Sequence, residues 1–243
     1  MPNLPFSSFR RSQVILEIRY EEAFMIWDRA GAVWSEIAKN FKAVKSTGAA
    51  PNQSSFNADD RYVMSIATDR ASITDWRPSG SMEEINKTLT AFAETAIRVL
   101  DVRVITRVGN RHIYTLEFKS QDEARKKMRE THPSAIPKKA LFSIPADKAV
   151  PAFKVEMDDG ELACSAQLYQ REKKIEFTPP PDVAVMGVEK TDKAVYEVVL
   201  DLDFSTKKPI PAESFEAQSW VQGWSKSVTR DADAFLSLVE GSV

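Results

Sequence analysis

The alternation of apolar and charged residues in "QVILEIRYEE" predicts a strand, with Val14, Leu16, Ile18 and Tyr20 on one face and Glu17, Arg19 and Glu21 on the other. From Ala23 to Val44 the period changes. Ile26, Ala30, Val33, Trp34, Ile37 and Phe41 recur at helical spacing, with Gly31 a potential break. The polar "KSTGAAPNQSS" follows neither period and predicts a loop, whereas "RYVMSIATDRASITDW" predicts two strands joined near Asp69-Arg70. Ser81, three residues before Glu84, forms a capping box ahead of Ile85, Leu89, Phe92, Ala96 and Val99 and predicts a helix.

The central stretch "VRVITRVGNRHIYTLEF" admits two readings. A hairpin at Gly109-Asn110 would pair Arg107 with His112 and Arg103 with Leu116, mixing charged and apolar residues on one face. A single strand keeps Val102, Val104, Thr106, Val108, Asn110, His112, Tyr114, Leu116 and Phe118 on one face and Arg103, Arg107, Arg111 and Glu117 on the other. Because the alternation persists through the glycine, a strand bent or bulged at Gly109 is preferred, with the hairpin as the alternative.

Beyond it, "SQDEARKKMRETH" predicts a short polar helix, and "PSAIPKKALFSIPADKAVP" an extended connector. "FKVEMDDGELACSAQLYQ" carries the Asp-Gly signal of a hairpin, "REKK" a turn into "IEFTP", and "PPPD" an interruption of the sheet. "DVAVMGVEKTDKAVYEVVLDLDF" predicts a strand pair around "KTDK". The tail places Ala217, Val221, Trp224, Val228, Phe235 and Val239 on a helical face, as one helix or two broken near Gly223 or Thr229. The order suggests two β-α-β(3-5)-α halves, residues 1–100 and 101–243, with a Pro-rich connector at 131–151. Runs of strands between helices predict an α+β fold, mainly antiparallel sheet with helices packed on one side.

Composition narrows the function classes. The 33 basic and 35 acidic residues nearly cancel, so binding to nucleic acid would need a local patch. No stretch approaches the roughly 20 apolar residues of a membrane span, and the N-terminus lacks a signal-peptide core. The expectation is a soluble, cytoplasmic protein. A lone Cys164 and two histidines cannot assemble a zinc site of the usual Cys/His kind. Cys164 is expected to be a buried, inert thiol. His112 sits among apolar neighbours and reads as a core or boundary residue, His132 as a loop residue, and Trp220 and Trp224 as core.

Candidate chemistry lies on the charged strand faces. Asp201 and Asp203 share a face with Glu197 and could hold Mg²⁺ with a phosphate completing its shell. The competing reading pairs them with Arg19, Arg107 or Arg111 on neighbouring strands, and is preferred because the chain supplies those arginines. Arg103, Arg107 and Arg111 could line an anion site, but no aromatic interleaves with them on that face as single-strand binders require.

In chain order, "VILEIRYE", "RVGNRHIY", "VVLDLDF" and "VTRDADAFLSLV" resemble an uncharacterised, sporadically distributed bacterial and archaeal family of similar length. Its members carry an Arg-Val/Ile-Gly-x-Arg central strand and a late Asp-x-Asp strand. His112 stands where that pattern has an aromatic. The resemblance implies no established activity. Sporadic distribution implies mobile or antiviral-defence loci. The leading expectation is therefore a non-catalytic accessory protein that acts through a protein partner, with no cofactor, no assigned catalytic residue, and self-association open. Two alternatives stand beside it. One is a Mg²⁺-dependent enzyme or binder of a nucleotide or polyphosphate, with Asp201 and Asp203 on the metal and Arg107 and Arg111 on phosphate. The other is a nucleic-acid-binding accessory subunit.

Overall fold

A computed structural model of the 243-residue chain describes residues 4–23, 26–50, 52–131, 135–177 and 191–240. In chain order the elements are β1 (Arg10–Tyr20), α1 (Ile26–Asn40), β2 (Lys45–Ala50), β3 (Gln53–Ala58), β4 (Tyr62–Ala67), β5 (Arg70–Asp75) and α2 (Met82–Leu100). They continue with β6 (Val104–Phe118), α3 (Gln121–Thr131), β7 (Phe153–Asp158), β8 (Leu162–Phe177), β9 (Thr191–Thr206), β10 (Ile210–Pro211) and α4 (Ala217–Val239). The strands form one antiparallel sheet in the order β2-β3-β4-β5-β1-β6-β9-β8-β7, with β10 beside β6. The fold is α+β.

The period-two pattern explains which face is covered. Val14, Leu16, Ile18 and Tyr20 of β1 pack with Ile26 and Ile37 of α1, Ile85 and Leu89 of α2, and Val221 of α4. Val198, Leu200, Leu202 and Phe204 of β9 pack with Met128 of α3 and Val228 and Leu236 of α4 in a second cluster. α2 starts as its sequence predicts: Ser81 Oγ accepts from the Glu84 N–H, and the Glu84 carboxylate accepts from the Ser81 N–H. The opposite face carries the charged residues and no helix from these clusters.

β6 is one strand, and Gly109 is neither its turn nor its bulge. Gly109 sits in regular register between Glu17 of β1 and Ser205 of β9. The extra residues against β1 are Ser12 and Thr106, where the pairing shifts. The shift at Thr106 changes the phase of β6. Ile105 and Val108 are therefore both in the core while Thr106 is exposed, which corrects the expectation that Val104 and Thr106 share the apolar face. The Arg107 guanidinium lies across Gly109: an added Cβ would stand 2.8 Å from Arg107 Nη1, and that flexible side chain would have to move aside.

Other expectations also change. The predicted loop at "KSTGAAPNQSS" contains β2 and the start of β3. β2 is exposed along its whole length and so has no apolar alternation to reveal it, while β3 alternates with Ser54 in a buried place. "REKK" does not turn, because β8 continues through it, and Thr191 to Lys193 of "KTDK" lie within β9. α1 passes through Gly31 and α4 through Gly223 and Thr229, so each is a single helix. Trp34, predicted on the apolar face of α1, is 42% exposed. "PPPD", the first member of the "KTDK" strand pair and His132 fall outside the described residues.

Candidate functional site

On the helix-free face, period two aims alternate side chains of β1, β6, β9 and β8 to the same side. Arg111 lies directly opposite Asp203 but bonds diagonally to Asp201, with Nε to Oδ1 at 2.7 Å and Nη2 to Oδ2 at 2.5 Å. Arg107 bridges Glu17 at 3.4 Å and Asp203 at 3.9 Å, and Glu17 also accepts from Arg19 Nε at 2.7 Å. Arg171 of β8 donates to Glu197 of β9 at 2.6 and 3.0 Å, and Arg10 reaches Glu117 at 3.1 Å. The four predicted site residues are thus brought together, as alternating charges.

Burial makes the pairing matter. Asp201 is 3% exposed, so its charge depends on the bidentate guanidinium of Arg111. That hydrogen bond in turn holds the Arg111 pKa above its ordinary value. Asp203 is raised above the usual carboxylate range because burial disfavours its charge, an effect that Arg107 and Arg111 only partly offset. A Mg²⁺ at Asp201 and Asp203 would have to displace Arg111 from both Asp201 oxygens and settle beside two guanidinium groups. Among the described residues no group of three or more His, Cys, Asp or Glu is arranged to hold a metal ion.

The helix side of β6 carries a different anomaly. Asn110 and His112 are fully buried, and no side-chain nitrogen or oxygen of either has a hydrogen-bond partner within the protein. Burial, reinforced by the positive charge of Arg11, pushes the His112 pKa down to about 3. The imidazole is neutral throughout the physiological range. Cys164 is half-buried and free, with its pKa raised to about 11 mainly by burial, so it is protonated at neutral pH.

Sequence reasoning missed three features. The first is a buried ion pair between Arg61 and the fully buried Asp75, with Nε to Oδ1 at 2.8 Å. The second is a polar cavity of about 530 Å³ where the ends of β1, β5, β6, β8 and β9 meet, walled by Trp76, Arg77, Lys173 and Lys193 among others. Its residues are scattered along the chain, and Lys173 and Lys193 lie in "REKK" and "KTDK", which the sequence pattern assigned to turns. The third is a turn in the connector. Leu141 and Ile144 exchange backbone hydrogen bonds of 3.0 and 2.8 Å, while Phe142 and Ser143 between them adopt φ of 50° and 63°. Phe142 is 94% exposed, Leu141 53% and Ile144 57%.

No protein-family model matches the chain, and no curated protein matches it. Among solved structures, the di-domain ARO/CYC StfQ from the steffimycin biosynthetic pathway aligns over 94% of this chain and 96% of that one, at 10% identity and a TM-score of 0.19. A likeness this slight carries no functional argument. No helix among the described residues is long and apolar enough to cross a membrane.

Proposed function

We propose that the protein is a non-catalytic binding protein that engages a protein partner through the connector turn. One observation carries the reading: three apolar side chains within four residues project into solvent, with Phe142 at the tip. Isolated exposed apolar residues are ordinary, but a contiguous set marks an interaction site. The backbone strengthens the case. Phe142 and Ser143 both occupy the left-handed region, which costs a non-glycine residue about 1 kcal/mol or more, and Pro145 follows directly. The strain orders a turn that presents an aromatic anchor of the kind that dominates interface energetics. Exposed Trp27 and Trp34, seven residues apart on α1, add aromatic surface of the same character.

The test places a photo-crosslinking residue at position 142 and compares co-purification by wild type and by Phe142→Asp in the native host. The expected result is one discrete adduct, whose protein component co-purifies with wild type and is lost from the variant at unchanged thermal stability. No adduct, or equal capture by Phe142→Asp, overturns the reading. The genomic neighbours of the partner's gene would then decide whether it belongs to a defence locus.

A further inference from the structure

The polar cavity lies on the helix-free face, away from the connector turn in sequence, and its charge is unbalanced. Glu117 of β6 stands directly opposite Glu197 of β9, and each carboxylate is answered by its own arginine, Arg10 at 3.1 Å and Arg171 at 2.6 Å. Like charges opposed across a ladder destabilise it, so these two arginines are accounted for structurally. Arg77, Lys173 and Lys193 are not. None of their three side chains has a carboxylate partner among the described residues. Lys173 pairs with Val195 and Lys193 with Ile175, so the two lysines are diagonal neighbours on one face of adjacent strands. Among the described residues no carboxylate answers their mutual repulsion, in a chain whose formal net charge is −2.

The wall opposite the lysines is built in advance. The Trp76 N–H donates to the Arg61 carbonyl at 3.0 Å, and the Arg77 N–H donates to Asp75 Oδ1 at 3.2 Å. Asp75 is itself fixed by the Arg61 guanidinium. The segment carrying Trp76 and Arg77 is thus tied to a buried ion pair, which lowers the ordering cost of any ligand it binds. Trp76 remains 50% exposed. Arg77, Lys173 and Lys193, with Arg11 also in the wall, and one half-open indole around about 530 Å³ match a single flat ring joined to phosphates. A nucleic-acid strand would need a succession of stacking platforms, and among the described residues of the wall Trp76 supplies one.

We propose that this cavity binds a nucleoside phosphate, its ring against Trp76 and its phosphates on Arg77, Lys173 and Lys193. Calorimetric titration of the full chain with ATP, tripolyphosphate, adenosine and a single-stranded oligonucleotide tests the assignment. Wild type is compared with Trp76→Leu and with the Lys173→Ala/Lys193→Ala double variant, each shown to keep its thermal midpoint. ATP should bind wild type in a salt-sensitive manner, and the double variant should lose about tenfold or more in affinity. Trp76→Leu should weaken ATP while leaving tripolyphosphate unchanged, which separates a ring site from a bare phosphate site. The proposal is overturned if wild type binds neither ATP nor tripolyphosphate at low salt, if the variants bind ATP as wild type does, or if Trp76→Leu weakens neither ligand. An oligonucleotide that binds much more tightly than ATP through the same residues overturns it in favour of a strand. Loss of the connector reading would leave all of these results unaffected.

Discussion

His112 makes the protein acid-sensitive in a way that one substitution can isolate. The residue stands opposite Val14 of β1 and Leu202 of β9, fully buried, with neither ring nitrogen hydrogen-bonded among the described residues. Protonation in the folded state would bury a charge beside Arg11, so the pKa falls from 6.5 to about 3. The unfolded chain keeps the ordinary value. Below pH 6.5 the unfolded state therefore binds a proton that the native state refuses, and stability falls as pH falls until the folded pKa is reached. At about 1.4 kcal/mol per pH unit the loss is about 3 kcal/mol by pH 4.5, a large part of a typical 5–15 kcal/mol. Carboxylates contribute acid loss of their own, so the comparison must be differential. Urea unfolding at pH 8 and pH 4.5 should show wild type losing about 3 kcal/mol more than His112→Phe or His112→Gln, whatever constant offset each substitution introduces. Parallel losses in wild type and both variants would refute the reasoning, and would mean that His112 titrates alike in the folded and unfolded states.

The remaining predictions concern the charged face and the connector. Arg111→Ala leaves Asp201 buried without its bidentate partner and should cost about 3 kcal/mol in chemical unfolding, reduced somewhat by the partial exposure of Arg111. Arg111→Gln/Asp201→Asn should cost less than its two single changes summed, and additivity in that double-mutant cycle would contradict a coupled pair. Mg²⁺ should leave the wild-type midpoint unchanged, whereas a saturable rise would favour metal on Asp201 and Asp203. Ser143→Gly should raise stability by about 0.5–1 kcal/mol by relieving a left-handed residue while keeping Phe142 displayed, and a fall on thermal melting would show that the turn is held by other contacts.

Legibility followed the strength of the physical signal at each place. Val14 to Tyr20 is a half-covered strand, so burial wrote period two into it, and in Leu200 to Phe204 the apolar residues facing the helices alternate with Asp201 and Asp203. The capping box at Ser81 is a local hydrogen-bond exchange, and its residue types were sufficient to show it. β2 gave no signal because neither of its faces is buried. The phase change in β6 was equally silent. Thr106 is an ordinary strand residue, and only the pairing with β1 shows that it is the extra one. Gly109 invited a backbone explanation, yet the chain runs through it in regular register, with the Arg107 side chain lying over it. The Arg111–Asp201 pair was foreseeable in kind but not in register, since the direct cross-strand partner of Arg111 is Asp203. The cavity needs Trp76, Lys173 and Lys193 at once, and no local pattern spans that separation.

The two ends of the helix-free face differ in a way that a purely structural account does not explain. Around β6, Arg107 and Arg111 are matched by Glu17, Asp201 and Asp203, and the pattern fixes register, because a one-residue slip of β6 would carry both guanidinium groups to the apolar side. Such a network has reason to be neutral, since every unmatched charge weakens it. Toward the ends of β8 and β9 the matching stops. Among the described residues Glu117 and Glu197 are served by Arg10 and Arg171, while Arg77, Lys173 and Lys193 remain in surplus around a preformed indole wall. Register could be fixed there without them. A surplus of one sign where the surface is concave is the arrangement expected when the missing counter-charge comes from outside the chain.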